Sequence, residues 1–399
     1  MDLTFILTED CNLRCSYCYQ KNFRPTRMSS KIARRAIQSA VDHGVESLTL
    51  TFFGGEPLLE ADTMFEILDF ARQIERETGM LITGKMPTNG LLLDESVIER
   101  ARAARLFVSL SFDGLQEAQD AGRITANGAG SFHHAERSLQ LLAASKIPFA
   151  VYSVVTPDNV QFLSRSRQWL WDSGARILIS ALDYTANWDA AAVRTLQKQY
   201  KLVGRFYREL LSRREDFHLE PFDSRIAQWT RASSWKTCSP GISSVTVGPD
   251  GTLYGCVEYF YRRLNSIGHV DRWLDPAALQ VMSRERSGQP DECVSCGVRD
   301  RCNNTCACVN LRTTGTVNMP PESLCLTEQS TIMTVDQMAA RIFDDNVPGF
   351  LLKQYSQSYH MLTGIERLFE SADFDDEATR TTNPDEKEPH DESSATCTV

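Results

Sequence analysis

Apolar residues along the first half of the chain follow two different periodicities. Six short apolar runs have the length and composition of buried strands, and they cover residues 3–8, 48–53, 81–86, 106–112, 149–155 and 175–182. Stretches with apolar residues at helical spacing separate them, at residues 29–44, 61–78, 94–104, 131–145 and 159–173. Strands that alternate with helices predict parallel β/α units, wound into a sheet or a barrel.

The second half of the chain loses this alternation. A long helical stretch is predicted over residues 189–214, cysteine-rich sequence with short strands over 235–325, and more helix over 327–370. Residues 371–399 contain nine Asp and Glu but only two Lys and Arg, which predicts a disordered acidic tail. The resulting division of the chain is 1–185, 186–234, 235–330, 331–371 and 372–399.

Composition restricts the partners and the compartment. The net charge of −10 over 399 residues leaves no basic surplus for nucleic-acid phosphates. No run of about 18 apolar residues could span a membrane, and the N-terminus lacks the pattern of a signal peptide. We therefore expect a cytoplasmic protein with no nucleic-acid and no membrane partner. Its twelve cysteines should remain reduced, and clustered thiols in that setting favour metal binding.

Three cysteines, Cys11, Cys15 and Cys18, lie on one short loop directly after the first predicted strand. A structural zinc site needs four protein ligands, and no fourth Cys or His occurs within the next two dozen residues. A [4Fe–4S] cluster needs one ligand per iron, so three cysteines would leave one iron free to bind a small molecule. The spacing therefore indicates an iron–sulfur site with one open position.

This CxxxCxxC loop, with Tyr17 before its third cysteine, resembles that of the radical S-adenosylmethionine (SAM) superfamily. Three further stretches at predicted strand ends resemble motifs of the same family: FFGGEP at 52–57, PTNG at 87–90 and SFDG at 111–114. The resemblance implies that SAM binds the open iron and is cleaved to a 5′-deoxyadenosyl radical. It also implies cofactor contacts from Tyr17, Gly54, Gly55, Glu56, Asn89, Ser111 and Asp113.

A second group of cysteines resembles the SPASM extension of radical SAM enzymes. Its members are Cys238, Cys256, Cys293, Cys296, Cys302, Cys306 and Cys325, with Gly251 at the expected place. Asp250-Gly251 predicts a type I′ hairpin turn between two strands of this region. Zinc ribbons have similar cysteine repeats, so structural zinc is the alternative.

The family resemblance implies two auxiliary [4Fe–4S] clusters, and three clusters in all. Cys293, Cys296, Cys302 and Cys325 would hold one, and Cys238, Cys256 and Cys306 the other. The expected fold is α/β, a partial (β/α)6 TIM-like barrel followed by a small cysteine-rich α+β SPASM domain and C-terminal helices. No cysteine just upstream of Cys238 completes the three-cysteine set. Three possibilities stay open for its fourth position: an open iron, Cys308 or Glu258.

The resemblance implies a peptide maturase that cross-links, through thioether or carbon–carbon bonds, or desaturates residues of a ribosomally synthesised precursor. The alternative within the superfamily is an anaerobic sulfatase-maturating enzyme, which makes formylglycine. Those enzymes carry an acidic base directly after the second SPASM cysteine, where this chain has Val257. Glu258, the candidate catalytic residue, comes one position later, on the opposite side of an extended strand.

The expected partners follow from the same resemblance. They are the precursor peptide, a flavodoxin or ferredoxin that donates electrons, and a separate leader-binding protein, because the chain begins at its first strand. A hypothesis from another class is a non-catalytic zinc or iron–sulfur interaction module.

Overall fold

A computed structural model of the chain describes residues 1–145, 147–230, 241–285, 290–302 and 306–355. All six predicted strands form, and six shorter ones join them within these ranges. The strands are β1 Asp2–Glu9, β2 Arg24–Arg27, β3 Ser47–Gly54, β4 Leu81–Thr88, β5 Leu106–Ser111, β6 Phe149–Val155, β7 Ile177–Leu182, β8 His218–Leu219, β9 Ser244–Val247, β10 Thr252–Tyr254, β11 Gly268–His269 and β12 Trp273–Leu274.

These strands form one sheet in the order β12-β11-β10-β9-β1-β3-β4-β5-β6-β7-β8, and β2 pairs with β1 outside this path. The strands from β9 across to β8 run parallel to one another. Within the described residues, the two outer strands β12 and β8 do not pair with each other, so the barrel is open. The predicted α/β fold with a partial barrel is confirmed.

Helices connect the parallel strands, as the alternation predicts, and further helices lie in the cysteine-rich region and after it. They are α1 Ser30–Asp42, α2 Ala61–Thr78, α3 Glu95–Ala103, α4 Gln116–Gly122, α5 Phe132–Ser145, α6 Leu163–Asp172, α7 Ala190–Ser212, α8 Phe222–Thr230, α9 Val257–Tyr261, α10 Pro276–Glu285, α11 Asp291–Val294, α12 Ala307–Thr314, α13 Glu322–Asp344 and α14 Phe350–Tyr355. No helix of the described residues is long and apolar enough to cross a membrane.

The core lies between the sheet and its helices. The adjacent residues Phe5, Ile6 and Leu7 of β1 are fully buried. Because neighbouring strand residues point to opposite faces, both faces of this parallel strand are covered. Two predicted regions, residues 356–371 of the C-terminal helices and the acidic tail 372–399, lie outside the described residues.

The cysteine-rich region extends the main sheet. Strand β9 pairs in parallel with β1, with Val245 opposite Leu3 and Val247 opposite Phe5. Strands β9 and β10 form the predicted hairpin, but the predicted type I′ turn is wrong. That turn needs positive φ at both central residues, whereas of Asp250 and Gly251 only Gly251 has one, at 88°. Pro249 fixes a negative φ and favours a type I turn, which the left-handed glycine then closes.

The prediction of extended backbone at Glu258 is also wrong. Cys256 is extended and precedes the short helix α9, so Glu258 lies in the first helical turn. The side chains of Val257 and Glu258 therefore do not point to opposite sides, as neighbouring side chains of a strand would. Helical spacing of the apolar residues Val257, Phe260 and Tyr261 explains why this segment turns into a helix after the cysteine.

Candidate functional site

The predicted cofactor motifs meet at one edge of the sheet. Because β1, β3, β4 and β5 are parallel, the loops that follow them all leave the sheet on the side of the strands' carboxyl ends. These loops carry Cys11, Gly55, Asn89 and Asp113, respectively. The structure therefore gathers residues that are more than a hundred positions apart in the sequence.

The cysteine loop after β1 lies directly against the glycine pair after β3. The Gly55 amide donates to the Thr8 carbonyl and the Glu56 amide donates to the Asp10 carbonyl, both at 2.9 Å. A Cβ atom on Gly55 would lie 2.0 Å from the Asp10 carbonyl oxygen, and one on Gly54 would lie 2.2 Å from that of Thr8. Only glycine permits this approach, so the pair brings the two loops into backbone contact.

Glu56 connects the glycine pair to the loop after β4. Its carboxylate accepts from the Thr88 hydroxyl at 2.6 Å, the Asn89 amide at 2.8 Å and the Leu58 amide at 3.2 Å. Burial raises the pKa of Glu56 to about 7, although these three hydrogen bonds favour its charged form. A carboxylate has about four acceptor sites, so one stays available for a further donor.

Asn89 connects the same loop to the cysteines. Its side-chain Nδ2 donates to Oδ1 of Asn12 at 2.6 Å, and it lies 3.8 Å from the Cys11 sulfur. Asn12, between the first two cysteines, was not among the predicted site residues. A lone asparagine in a loop gives no signal of this pairing, because its partner lies 77 positions away.

Asp113 holds the other side of the cysteine loop. It accepts from the Tyr17 hydroxyl at 2.7 Å, and it forms a two-pronged ion pair with Arg123 at 3.1 and 3.2 Å. The Val154 amide donates to it as well, at 2.8 Å. The predicted cofactor contacts of Asp113 and Tyr17 stay predictions. The hydrogen bond between them connects the loop after β5 to the cysteine loop.

Arg123 is a site residue that the sequence analysis missed. Its side chain is buried, and its guanidinium lies 5.3 Å from the centre of the Tyr17 ring. Burial acts to lower the pKa of Arg123, but the Asp113 carboxylate outweighs it and the net shift is upward. The preceding residue, Gly122, has no room for a Cβ, which would lie 2.6 Å from the Tyr17 ring.

Replacing Arg123 by methionine is expected to lower the free energy of unfolding by about 3–5 kcal/mol, because Asp113 would keep a buried charge without its partner. Urea unfolding of the metal-free protein measures this change. The matched control is Arg35→Met, which breaks an ion pair with Asp271 whose side chains are 47% and 64% exposed. An exposed ion pair contributes about 1 kcal/mol or less to the free energy of unfolding. Equal losses in both variants would contradict the structural role of Arg123.

Burial of the three thiols favours their protonated form in the metal-free chain. Burial raises the pKa of Cys11 to about 12 and that of Cys15 to about 11, and it raises the pKa of Cys18 too. Loading a metal centre would therefore release protons. Among the described residues, no three His, Cys, Asp or Glu side chains converge tightly enough to hold a single metal ion. In a [4Fe–4S] cluster the thiolates bind separate irons, so they need not converge on one point.

Six cysteines of the second group lie within the described residues. Cys293, Cys296, Cys302 and Cys325 line one cavity of about 630 Å³. Arg301, next to Cys302, binds both carboxylate oxygens of Asp336 on α13 at 2.7 Å, which ties this segment to the helix that carries Cys325. The predicted set of four thiols is thus brought together. Cys238 lies outside the described residues.

Cys256 and Cys306 lie at a separate place, where helices α9 and α12 begin. The Cys308 sulfur is 2.8 Å from that of Cys256. Glu258 is nearby and buried, and its nearest described cation is Arg312, with Nε 3.9 Å from Oε1. Burial raises the pKa of Glu258. Its catalytic role stays a prediction.

Direct contacts join the two cysteine groups. Arg263, just after α9, donates to both oxygens of Glu9 at 2.9 and 2.7 Å, and Glu9 ends the strand that leads to Cys11. The rings of Tyr19 and Tyr261 meet edge to face with centres 5.5 Å apart.

Ser111 is half-buried at the end of β5, and its cofactor contact stays a prediction.

The sequence matches one family of proteins and aligns with curated maturating enzymes. Residues 5–161 match the Radical SAM superfamily. The cysteine-type anaerobic sulfatase-maturating enzyme of Clostridium perfringens (strain 13 / Type A) is 25% identical over 182 residues, which are 43% of this chain and 49% of that enzyme. Mycofactocin maturase MftC of Mycobacterium ulcerans (strain Agy99) is 28% identical over 323 residues, with 76% of this chain and 82% of the maturase covered.

A solved structure has the same fold. Native anSMEcpe with bound AdoMet and Cp18Cys peptide superposes with a TM-score of 0.73 at 18% identity, covering 86% of this chain and 99% of that one. The chain spans 58% and 49% of the lengths of two curated relatives with which it aligns.

Proposed function

We propose that this chain, whose residues 5–161 match the Radical SAM superfamily, is an enzyme that oxidatively modifies a ribosomally synthesised precursor peptide. The modification is a thioether or carbon–carbon cross-link or a desaturation. One observation carries the proposal: the three-cysteine loop is joined by hydrogen bonds to Glu56 and Asn89, at the edge of the sheet where parallel strands end.

The residues at this edge fit a [4Fe–4S] cluster with bound SAM. Cys11, Cys15 and Cys18 would hold three irons, because each iron needs one ligand. The remaining acceptor site of Glu56 suits the SAM ammonium, since a buried carboxylate pairs strongly with a cationic donor. When bound, the reduced cluster and SAM together supply a 5′-deoxyadenosyl radical that abstracts hydrogen from the substrate. Asp113, Arg123 and Tyr17 hold the cysteine loop in place.

The second cysteine group suits the removal of another electron from the substrate. Cys293, Cys296, Cys302 and Cys325 would hold one auxiliary [4Fe–4S] cluster, and Cys238, Cys256 and Cys306 belong to the other. The contact between Tyr19 and Tyr261 keeps the two cysteine groups close to each other. A flavodoxin or ferredoxin supplies the first electron in this proposal. The reaction takes place in the cytoplasm, where thiols stay reduced.

A peptide substrate is supported by the names of the relatives. One is a mycofactocin maturase, and the superposed anSMEcpe structure contains a bound peptide. A separate leader-binding protein belongs to the same proposal. Affinity purification of the precursor together with this chain would detect such a protein as a third component.

The second candidate is a formylglycine-generating enzyme of the sulfatase-maturating type, which the Clostridium perfringens relative favours. The position directly after Cys256 holds Val257 instead of an acid, which counts against it. The two products differ in composition. Cross-linking removes two hydrogen atoms, whereas conversion of cysteine to formylglycine also replaces sulfur by oxygen.

The proposal predicts that co-expression with a short cysteine- or aromatic-repeat peptide encoded beside this gene will yield a peptide lighter by two hydrogen atoms per modification. Mass spectrometry of the purified peptide is the measurement, and peptide expressed alone is the control. The anaerobically purified enzyme should contain about twelve irons, four for each of three clusters. A zinc-containing protein that forms no 5′-deoxyadenosine would instead identify a non-catalytic interaction module.

A further inference from the structure

A largely buried arginine lies between the barrel and the cysteine-rich region. Arg312 belongs to α12, and its guanidinium lies between Asp183, which directly follows β7, and Glu258, in the first turn of α9. The pKa of Cys18, which burial raises, is lowered in part by the charge of Arg312, so the guanidinium also acts on the cysteine loop. Arg312 therefore lies at the edge of the sheet where the site motifs meet, although it was not among the predicted site residues.

The guanidinium is close to both carboxylates without being hydrogen-bonded to either. Nη2 of Arg312 is 3.8 Å from Oδ1 of Asp183, and its Nε is 3.9 Å from Oε1 of Glu258; both distances exceed that of a hydrogen bond. The Nε atom is buried, and no acceptor of the described residues reaches it. A buried donor without an acceptor costs free energy, so Arg312 has donors that a ligand would satisfy.

The carboxylates cannot simply close this distance. Oδ1 of Asp183 accepts from the Thr185 amide at 2.9 Å, which holds the carboxylate against its own loop. Glu258 is fixed at the start of α9, and its side chain is 10% exposed. The side chain of Arg312 is 26% exposed, so its guanidinium stays accessible from one side. This open side is where a substrate would meet it.

The surrounding charges indicate which kind of acceptor fits. Asp183 and Glu258 together already compensate the positive charge of Arg312. A second anion would be repelled by both carboxylates, whereas a neutral carbonyl oxygen accepts a hydrogen bond without adding charge. The main chain of a peptide presents one such oxygen at every residue. The site therefore suits a peptide main chain better than an acidic side chain or a terminal carboxylate.

We propose that Arg312 donates hydrogen bonds to a main-chain carbonyl of the peptide substrate and holds that substrate between the cysteine loop and the cysteine-rich region. The inference rests on the proposed function, because it takes the substrate to be a peptide. Since every residue has a main-chain carbonyl, Arg312 contributes affinity and placement and does not select among side chains.

The test measures binding of a fluorescein-labelled precursor, the short repeat peptide encoded beside this gene, to the anaerobically purified full chain. Fluorescence anisotropy gives Kd, and initial rates of peptide modification give KM and kcat. Arg312→Met keeps the length of the side chain and removes its donors. We expect Kd and KM to rise by about tenfold or more, because a charge-assisted hydrogen bond is lost. We expect kcat to change by less than about twofold, since the lost contact is made equally before and during the reaction.

Arg262→Met is the matched control. Arg262 is exposed and its charge also acts on Glu258, so this change removes a nearby cation without removing the proposed donor. Its Kd should stay within about twofold of that of the unaltered chain. An equal rise of Kd in both variants would overturn the proposal.

A double variant, Arg312→Met with Asp183→Asn, separates substrate binding from charge compensation. Asparagine keeps the oxygen that accepts from Thr185, and the loss of one charge of each sign restores the balance. We expect Kd to stay raised. A return to the Kd of the unaltered chain would show that Arg312 only compensates the carboxylates, and it would overturn the proposal. If Arg312→Met alone does not fold, this charge-balanced variant decides.

Salt distinguishes a carbonyl from a carboxylate as the bound group. The ratio of Kd between Arg312→Met and the unaltered chain should stay constant as the salt concentration rises, because a neutral acceptor adds no ion pair. A ratio that falls with salt would identify a carboxylate ligand and would contradict the assignment.

The proposed function and this inference fail in different ways. A labelled peptide that the unaltered chain neither binds nor modifies would contradict the proposed function. A peptide that the unaltered chain binds and modifies, and that Arg312→Met binds as tightly, would contradict the inference alone.

Discussion

Replacing Cys11, Cys15 and Cys18 together by alanine is expected to abolish the formation of 5′-deoxyadenosine from SAM. The physical reason is ligation, since each cysteine would bind one iron and no other described thiol lies on this loop to take its place. Iron content should fall by about four per chain. Chromatography of the nucleoside after reduction with dithionite, together with iron analysis, measures both changes.

Ser16→Ala is the control for this experiment. Ser16 lies on the same loop between two of the cysteines, and its side chain is exposed, so its removal should change neither the iron content nor nucleoside formation. Continued cleavage of SAM by the triple variant would contradict the assignment of the cluster to this loop. Normal cleavage with four irons fewer would place the reaction at another cluster.

The change Gly55→Ala is expected to displace the cysteine loop and to prevent cluster assembly, although it alters no predicted iron ligand. The new Cβ would lie 2.0 Å from the Asp10 carbonyl oxygen and 3.0 Å from the Cβ of Cys11. Backbone atoms cannot move aside as the end of a flexible side chain can, so the two loops must separate. The free energy of unfolding should fall by about 3 kcal/mol, the upper part of the usual range for overpacking.

Iron content and the cluster's visible absorption, measured after anaerobic purification, report on assembly, and urea unfolding reports on stability. Gly79→Ala is the control. Gly79 has a φ of 72°, and nothing lies within 4 Å of a Cβ added there. The free energy of unfolding of the Gly79→Ala variant should therefore fall by about 1 kcal/mol, because alanine disfavours the left-handed backbone. The variant should keep its iron. If Gly55→Ala retained a full cluster, the backbone contact between the two loops would not be what positions the cysteines.

The strands and the order of the site motifs could be predicted from the sequence because both are local properties. A parallel strand such as β3 is a continuous apolar run, and the turn residues after it mark its end. Parallel strands bring those ends to one edge, so the nearness of Cys11, Gly55 and Asn89 followed from topology. The topology did not predict the specific hydrogen bonds between these loops, because several polar atoms in each loop could have been the partner.

The sequence patterns did not predict the contacts between distant segments of the chain. The pairing of β9 with β1 joins strands that are about 240 positions apart, and neither apolar run specifies its neighbour. Arg123 could have been proposed as a partner for Asp113, since it follows ten positions later and a buried carboxylate needs compensation. The helix at Glu258 was missed because a five-residue helix is too short for its periodicity to be distinguished from a strand.

The parallel pairing of β1 and β9 has a further consequence for how electrons would travel through this molecule. Strand β1 leads to the first thiol group, while its hydrogen-bonded neighbour β9 leads through a turn and the antiparallel strand β10 to Cys256. The separation of the two thiol groups is then set by the paired strands β1, β9 and β10, and not by the long connecting segment. Since tunnelling slows steeply with distance, insertions in that connection should leave the transfer rate unchanged, whereas a slip in strand register would alter it.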